Sequence, residues 1–203
     1  MRFADLVALN IHDIKNRLAM VAARAEGRGD TETVHDVLGV TAELSRLLAC
    51  YKAEAGQLQP AIDAYCPQYL VQELIADYQH LTTPKLEIDT DRAPSSWYYD
   101  ENLVRMVLAN ALQNALRSAR SRVCISAVED GDWLEFRIHD DGPGYPDDRL
   151  QTAQATAPMS QEGTGVGLYL AHKVADLHTN HGLRGEVRLE NDRGAVFRLR
   201  LPV

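Results

Sequence analysis

The chain has 203 residues, 45% of them hydrophobic, and a formal net charge of −8 at pH 7. This length and apolar fraction suit one large domain or two small ones. The negative charge and the scattered basic residues argue against nucleic-acid binding, which needs clustered lysine and arginine. We expect no membrane span and no secretion signal, because no apolar run approaches ~18 residues. Three widely spaced cysteines suit reduced thiols, which predicts a cytoplasmic protein.

Apolar residues recur at helical spacing in the first part of the chain and predict a helix over residues 3–25. Asp30 or Thr31 can cap a second helix that ends before Gly56. Two helices joined by a glycine turn form an antiparallel hairpin, which cannot bury both of its apolar faces alone. We therefore expect residues 1–58 to form a homodimer as a four-helix bundle. Packing of the hairpin on the rest of its own chain remains the alternative.

Residues 59–203 show mixed patterns that predict an α+β domain, a sandwich of a mixed sheet with helices on one face. Helices are predicted over residues 67–81, 101–120 and 166–177. Strands are predicted over residues 86–89, 123–128, 133–138, 185–189 and 195–201.

Two asparagines on the predicted helix 101–120 suggest a metal and nucleotide site. Asn110 and Asn114 are four residues apart, so both amides project from one helix face. An amide oxygen is a hard ligand that suits Mg²⁺, and Asn114 is the preferred ligand. The alternative is that both are ordinary surface residues of a helix.

Two glycine clusters follow, about twenty residues apart. In the first, Asp140 ends a strand, where its carboxylate can accept a hydrogen bond from the adenine amine, while Gly142 and Gly144 let the backbone approach the base. In the second, glycines 163, 165 and 167 open a helix whose backbone amides and positive end can face a phosphate chain. The polar segment 145–162 between the clusters suits a mobile lid.

The order of these motifs resembles the catalytic and dimerisation core of sensor histidine kinases, in the superfamily shared with gyrase and mismatch-repair ATPases. Residues 9–18 resemble the phosphoacceptor box, and residues 110–119 resemble the asparagine box. Residues 140–144 and 163–168 resemble the first and second glycine boxes. The match covers nearly the whole chain.

The resemblance implies an ATP-dependent histidine kinase with His12 as phosphoacceptor, Asp13 as its general base or orienting carboxylate, and Asn16 positioning a water for dephosphorylation of a partner. It implies ATP and Mg²⁺ as ligands, with the metal on Asn114. The implied nucleotide-binding residues are Asn110, Asn114, Arg117, Asp140, Gly142, Gly144, Gly163, Thr164, Gly165, Gly167 and Leu168.

The implied partners are a second copy of the chain, the receiver domain of a response regulator, and a separate sensor protein as one source of the signal. In related ATPases a glutamate stands where this chain has Asn110, which favours phosphoryl transfer over hydrolysis. The chain departs from the family pattern because residues 145–162 contain no phenylalanine, Ser118 replaces an aromatic residue, and Arg17 replaces a proline. Two alternatives therefore stay open: a non-catalytic histidine phosphotransferase or scaffold of the same architecture, and an ATP-driven switch or hydrolase.

Overall fold

A computed structural model of the chain describes residues 3–79, 83–148, 150 and 166–203, with the backbone alone described for residues 3–9 and 12. The chain divides into two compact units, Met1–Leu58 and Gln59–Val203. The first unit is helical, and the second combines strands with helices. Over the described residues, no helix has both the length and the apolar character that crossing a membrane requires.

The first unit is a helical hairpin of α1 (Phe3–Glu26) and α2 (Thr31–Glu54). The chain reverses through a glycine turn in which Gly29 has φ 70°. Asp30 caps α2, as predicted, because its carboxylate accepts hydrogen bonds from the Thr33 backbone N–H at 3.1 Å and the Thr33 hydroxyl at 2.7 Å. The sequence could predict this turn because glycine and a capping aspartate act locally.

The hairpin buries few of its own side chains. Among those described, Ala25, Val37 and Ala49 are the buried ones. Large apolar side chains on both helices are exposed instead, and we call them the hairpin apolar surface: Ile14, Met20, Val21, Leu38, Val40 and Leu47. Removing apolar surface from water is favourable, so the hairpin apolar surface is suited to packing against a partner.

The second unit is built on a five-stranded mixed sheet. Its strands are β2 (Lys85–Asp89), β4 (Arg122–Asp130), β5 (Trp133–Asp140), β8 (Glu186–Asn191) and β9 (Ala195–Pro202). They lie in the order β2-β4-β5-β9-β8, with β2 parallel to β4 and the other neighbours antiparallel. Each predicted strand is present, and the predicted α+β class with a mixed sheet is confirmed. Two small sheets were not predicted: β1 (Asp63–Tyr65) with β3 (Trp97–Tyr99), and β6 (Thr179–Asn180) with β7 (Leu183–Arg184).

Three helices cover one face of this sheet: α3 (Pro67–Tyr78), α4 (Glu101–Ser118) and α5 (Val166–Leu177). The alternation along β5 reflects this arrangement, because Leu134, Phe136 and Ile138 are buried while Glu135 and Arg137 are part-exposed. The prediction of helices on one face is confirmed. The predicted end of α3 at residue 81 is wrong, since the helix ends at Tyr78.

The opposite face of the sheet is polar and carries a row of ion pairs across neighbouring strands. Arg198 contacts Glu135 at 2.6 Å and Glu190 at 3.1 Å, and Arg200 contacts Glu186 at 2.8 Å. These mostly part-buried side chains connect neighbouring strands across this face. The apolar core therefore lies on the helical side, where α4 and α5 pack against each other and against the sheet.

Candidate functional site

The helix α4 carries the predicted asparagine pair. Asp100 caps the helix by accepting a hydrogen bond from the Leu103 backbone N–H at 2.9 Å. Apolar residues at helical spacing bury one side of α4, so the polar residues lie toward its other side. Asn110 is half-buried, whereas Asn114 and Arg117 are exposed. The helix thus presents an accessible amide and a guanidinium that are both available to a ligand.

Asn110 packs against the first turn of α5. A Cβ atom at Gly167 would overlap the Asn110 amide, since it would lie 2.7 Å from Cγ and 2.8 Å from Oδ1. Only glycine allows the two helices to approach this closely. The structure therefore brings together the asparagine box and the end of the second glycine box, which lie 57 residues apart in the sequence.

Asp140 is the last residue of β5 and is only 4% exposed. Its Oδ1 accepts hydrogen bonds from the Gly142 backbone N–H at 2.8 Å and the Ala195 backbone N–H at 3.3 Å. Both hydrogen bonds described for the carboxylate fall on Oδ1. These bonds hold the side chain in one orientation and leave Oδ2 acceptor capacity for a donor on a ligand.

The two glycines after Asp140 are both required by close contacts. A Cβ atom at Gly142 would overlap the Ser118 carbonyl group and lie 2.8 Å from Asp140 Oδ1. Gly144 has φ 87°, and a Cβ there would lie 2.7 Å from Asn191 Oδ1. Because Ser118 is the last residue of α4, the first glycine box packs directly on the end of the asparagine helix.

Asn191 is a further residue beside the candidate site, and no sequence pattern predicts it. Its amide oxygen accepts from the Tyr145 backbone N–H at 2.7 Å, and its amide nitrogen donates to the Tyr145 carbonyl at 2.9 Å. This pair of bonds fixes the backbone that follows Gly144. The sequence gives no local signal for it, since Asn191 lies 46 residues further along the chain, at the end of β8.

Asp141, which was also not predicted, ties the first glycine box to the connection between α4 and β4. Its carboxylate accepts from the Ser121 hydroxyl and from the backbone N–H groups of Ser121, Arg122 and Arg120. These bonds hold the pKa of the Asp141 carboxyl well below its usual range, and the bond from the Ser121 hydroxyl has the largest effect. Adjacent aspartates thus have different surroundings: Asp140 is buried, and Asp141 is a surface anchor.

The remaining predicted residues are described only in part. Leu168 lies half-buried in the first turn of α5, while Gly163, Thr164 and Gly165 lie outside the described residues, as does most of the predicted lid. His12, Asp13 and Asn16 lie on α1 of the helical hairpin, where Asp13 and Asn16 are exposed and the His12 side chain lies outside the described part.

The residues present suit a magnesium–nucleotide complex. In the described ranges, no group of three or more histidine, cysteine, aspartate or glutamate side chains forms a protein cage for a metal. Mg²⁺ typically takes few protein ligands and completes its octahedral shell with water and phosphate oxygens. A single exposed amide such as that of Asn114 fits this chemistry, and the buried carboxylate of Asp140 fits recognition of a base amine.

The family described as histidine kinase-, DNA gyrase B- and HSP90-like ATPases matches residues 99–203. The chain belongs to this family. Among curated relatives, it is 35% identical over 126 residues to the signal transduction histidine-protein kinase AfsQ2 of Streptomyces coelicolor, covering 58% of this chain and 22% of that protein. It is 32% identical over 161 residues to the adaptive-response sensory kinase SasA of Prochlorococcus marinus, covering 70% and 42% respectively.

The chain therefore spans less than half the length of these two curated relatives. Its fold is similar to the solved structure of the Acinetobacter baumannii histidine kinase AdeS, with a TM-score of 0.64, 18% identity and coverage of 94% of this chain and 97% of that one. The family match and the relatives confirm the predicted ATP-binding catalytic domain of the sensor histidine kinase type. The roles predicted for single residues and for the hairpin stay predictions.

Proposed function

We propose that this protein is an ATP-dependent protein-histidine kinase that phosphorylates itself on His12 and passes the phosphoryl group to an aspartate of a response regulator. Residues 59–203 are the ATP-binding catalytic domain, and residues 1–58 are the dimerisation and phosphoacceptor hairpin. The signal comes from a separate sensor protein or from a further region of the same protein, and the kinase works in the cytoplasm.

The observation that carries this proposal is the contact between Asn110 and Gly167. It sets the polar face of α4 beside the start of α5, where backbone amides and the positive end of the helix favour phosphate. Asp140 supports the same conclusion, because a buried carboxylate with a fixed orientation suits the adenine amine. Arg117, exposed in the last turn of α4, is the phosphate-binding cation.

Asn114 supplies the protein ligand to Mg²⁺, which when bound neutralises charge on the phosphates. Its amide is exposed one turn beyond Asn110, so it faces the same side of α4. The family resemblance assigns Gly163, Thr164, Gly165 and Leu168 to the second glycine box, which would bind the phosphate chain.

In the transfer step, an imidazole nitrogen of His12 attacks the γ-phosphorus and ADP departs with the bridging oxygen. Asp13, the next residue along α1, orients the ring and stabilises the developing imidazolium. Phosphohistidine then donates its phosphoryl group to a carboxylate of the receiver domain. Asn16 lies one turn beyond His12 on the same helix and positions a water for dephosphorylation of that partner.

The side chain at position 110 favours transfer over hydrolysis. An amide cannot take a proton from water, whereas a glutamate in this place could act as a general base. Asn110 is also held by its packing against Gly167, which leaves it a positioning role. Slow hydrolysis preserves the γ-phosphoryl group for His12.

One reaction mixture tests this proposal against its alternatives. The full chain is incubated with Mg²⁺ and γ-labelled ATP, ATP binding is measured, and label on protein is compared with released phosphate. Acid-labile label on the protein is the expected result. Steady phosphate release without labelled protein would indicate a hydrolase, and no ATP binding would indicate a phosphotransfer protein or scaffold.

A further inference from the structure

His178 follows the last residue of α5 and is only 3% exposed. Its Nδ1 lies 2.7 Å from the Val174 carbonyl oxygen, and its Nε2 lies 3.0 Å from the Asp100 backbone nitrogen. Its backbone N–H donates to Ala175, and its carbonyl accepts from Gly185. A polar residue just after a helix is commonly exposed, but here both ring nitrogens are engaged inside the domain.

These partners define the state of the ring. Asp100 can only donate through its backbone N–H, so Nε2 must be an acceptor, and Val174 can only accept, so Nδ1 carries the hydrogen. The ring is therefore neutral, with one tautomer assigned from its partners. A proton added to Nε2 would set two donors against each other and remove the bond to Asp100.

Asp100, the partner of His178, makes further hydrogen bonds through its carboxylate. The Asp100 carboxylate caps α4 through the Leu103 N–H at 2.9 Å and accepts from the Ala61 N–H at 2.7 Å. The bond between Asp100 and His178, which we call the α4–α5 joint, thus connects the beginning of α4 to the end of α5.

The joint and the Asn110–Gly167 contact are two fixed points on the same pair of helices. Along α4, Asn110 lies ten residues beyond Asp100, and along α5, His178 lies eleven residues beyond Gly167. At 1.5 Å per residue the separations are about 15 Å and about 17 Å. The two helices therefore run antiparallel between contact points at similar spacing, so both contacts set the alignment of α4 along α5.

We propose that neutral His178 is a positioning residue of the nucleotide site, and that its protonation releases α4 from α5 and weakens nucleotide binding. The proposal rests on the proposed function, because it assigns to the joint the alignment of Asn110 with the start of α5. His178 does not contact the nucleotide; it affects binding through the positions of α4 and α5.

The charged surroundings set the direction of the pH dependence. Burial lowers the pKa of His178 and outweighs two effects that favour the protonated ring, the hydrogen bond to the Val174 carbonyl and the charge of the Asp100 carboxylate. On α5, the charge of Asp176 raises the pKa of His172, while on α4 the charge of Glu101 raises the pKa of Tyr99. Arg184 and His181 on the β6–β7 hairpin are exposed.

Because the folded protein binds the proton less readily than the unfolded chain, the neutral joint contributes fully to folding stability above the unfolded pKa of about 6.5. Its contribution is lost as the pH falls from there toward the folded pKa.

The test uses the full chain with His178→Gln, His178→Ala and, as a matched control, His172→Gln. Glutamine keeps an acceptor near the position of Nε2 but does not titrate, and alanine removes the acceptor. His172 is a half-buried histidine on α5, and burial lowers its pKa too, so it controls for a general loss of stability in acid.

Binding of Mg²⁺ and ATP is measured from pH 7.5 to 4.5, together with hydrogen exchange of the Asp100 amide without nucleotide. In the wild type we expect affinity to fall more than in His178→Gln once the pH passes below the lowered pKa of His178, by about tenfold when the ring is protonated, the scale of one lost hydrogen bond. The titration of ATP itself is common to all variants. His178→Ala should exchange the Asp100 amide faster at every pH, and His172→Gln should follow the wild type.

Equal pH dependence in the wild type and His178→Gln, or unchanged Asp100 exchange in His178→Ala, would overturn the positioning role. A wild type that binds no ATP at pH 7.5 would instead contradict the proposed function. In that case the exchange of the Asp100 amide, measured without nucleotide, still decides whether the joint exists.

Discussion

Asp140 is the residue whose surroundings most specifically suit a nucleotide base. Its burial and its two backbone donors on Oδ1 fix the carboxylate, and neither bond needs a ligand to be present. A fixed acceptor recognises a base amine without a further ordering cost on binding. The carboxylate of Asp141 beside it is instead engaged by four donors from residues 120–122.

Replacing Asp140 with asparagine should weaken ATP binding by about ten- to a hundredfold, because a hydrogen bond to a charged group contributes about 1.5–3 kcal/mol. Calorimetric titration with Mg²⁺ and ATP measures this change. Asp89→Asn, on the exposed end of β2, is the matched control and should bind as the wild type does. Equal affinities of the two variants would remove Asp140 from the site.

At the scale of elements, α4 and α5 determine the geometry of the site. The two helices touch where Gly167 meets Asn110 and are joined again through His178. The connection that follows α4 is held to the first glycine box by Asp141, and β8 is held to it by Asn191. The candidate site is therefore supported from three secondary-structure elements besides the strand that carries Asp140.

Gly167→Ala should lower stability by about 1–3 kcal/mol and weaken nucleotide binding, since the added methyl group overlaps the Asn110 amide. Denaturant unfolding measures the first effect. The double variant Gly167→Ala with Asn110→Ala should recover most of the lost stability, because the clash is removed from both sides. Additive losses in the double variant would show that the two residues do not contact each other.

Much of this fold could be predicted from the sequence because the signals are local. Asp30 and Asp100 cap helices within three residues of themselves, and Gly131, with φ 60°, closes the tight turn between β4 and β5. Asp140 was placed correctly at a strand end, since a strand followed by Asp-Gly is a short-range pattern.

The parts that could not be predicted depend on tertiary contacts. Asn191 binds Tyr145, 46 residues away in the sequence, and Asp141 binds Ser121, 20 residues away. Contacts between such distant residues produce no periodic pattern in the sequence. The burial of His178 could not be predicted from its place after a helix, because its partner Asp100 at the start of α4 lies far away in the sequence. The strands β6 and β7 have two residues each, too few to show the alternation of polar and apolar residues that indicates a strand.

At the scale of the whole molecule, the hairpin apolar surface supports the proposed homodimer. Val40 and Leu47 lie seven residues apart on α2 and are 46% and 49% exposed, and Ile14 and Val21 have the same spacing on α1. A seven-residue spacing places side chains on one helix face, as in the seams of helical bundles. A second copy of the chain offers the same surface in return.

The double variant Val40→Glu with Leu47→Glu should dissociate the dimer, because burying two carboxylates in an apolar interface is unfavourable. Light scattering across a concentration series should give a dissociation constant at least about tenfold higher than that of the wild type. The matched control is Ile88→Glu, at a residue of β2 that is 44% exposed. A monomeric wild type, or an unchanged double variant, would contradict dimerisation through this surface.

Site-mapped phosphorylation decides whether His12 is the phosphoacceptor. The full chain, His12→Gln and His35→Gln are incubated with Mg²⁺ and γ-labelled ATP, and acid-labile label on the protein is measured. His35 is an exposed histidine on α2 of the same hairpin, so it controls for non-specific labelling. We predict that His12→Gln loses the label while His35→Gln keeps the wild-type amount; label that survives in His12→Gln would contradict the account.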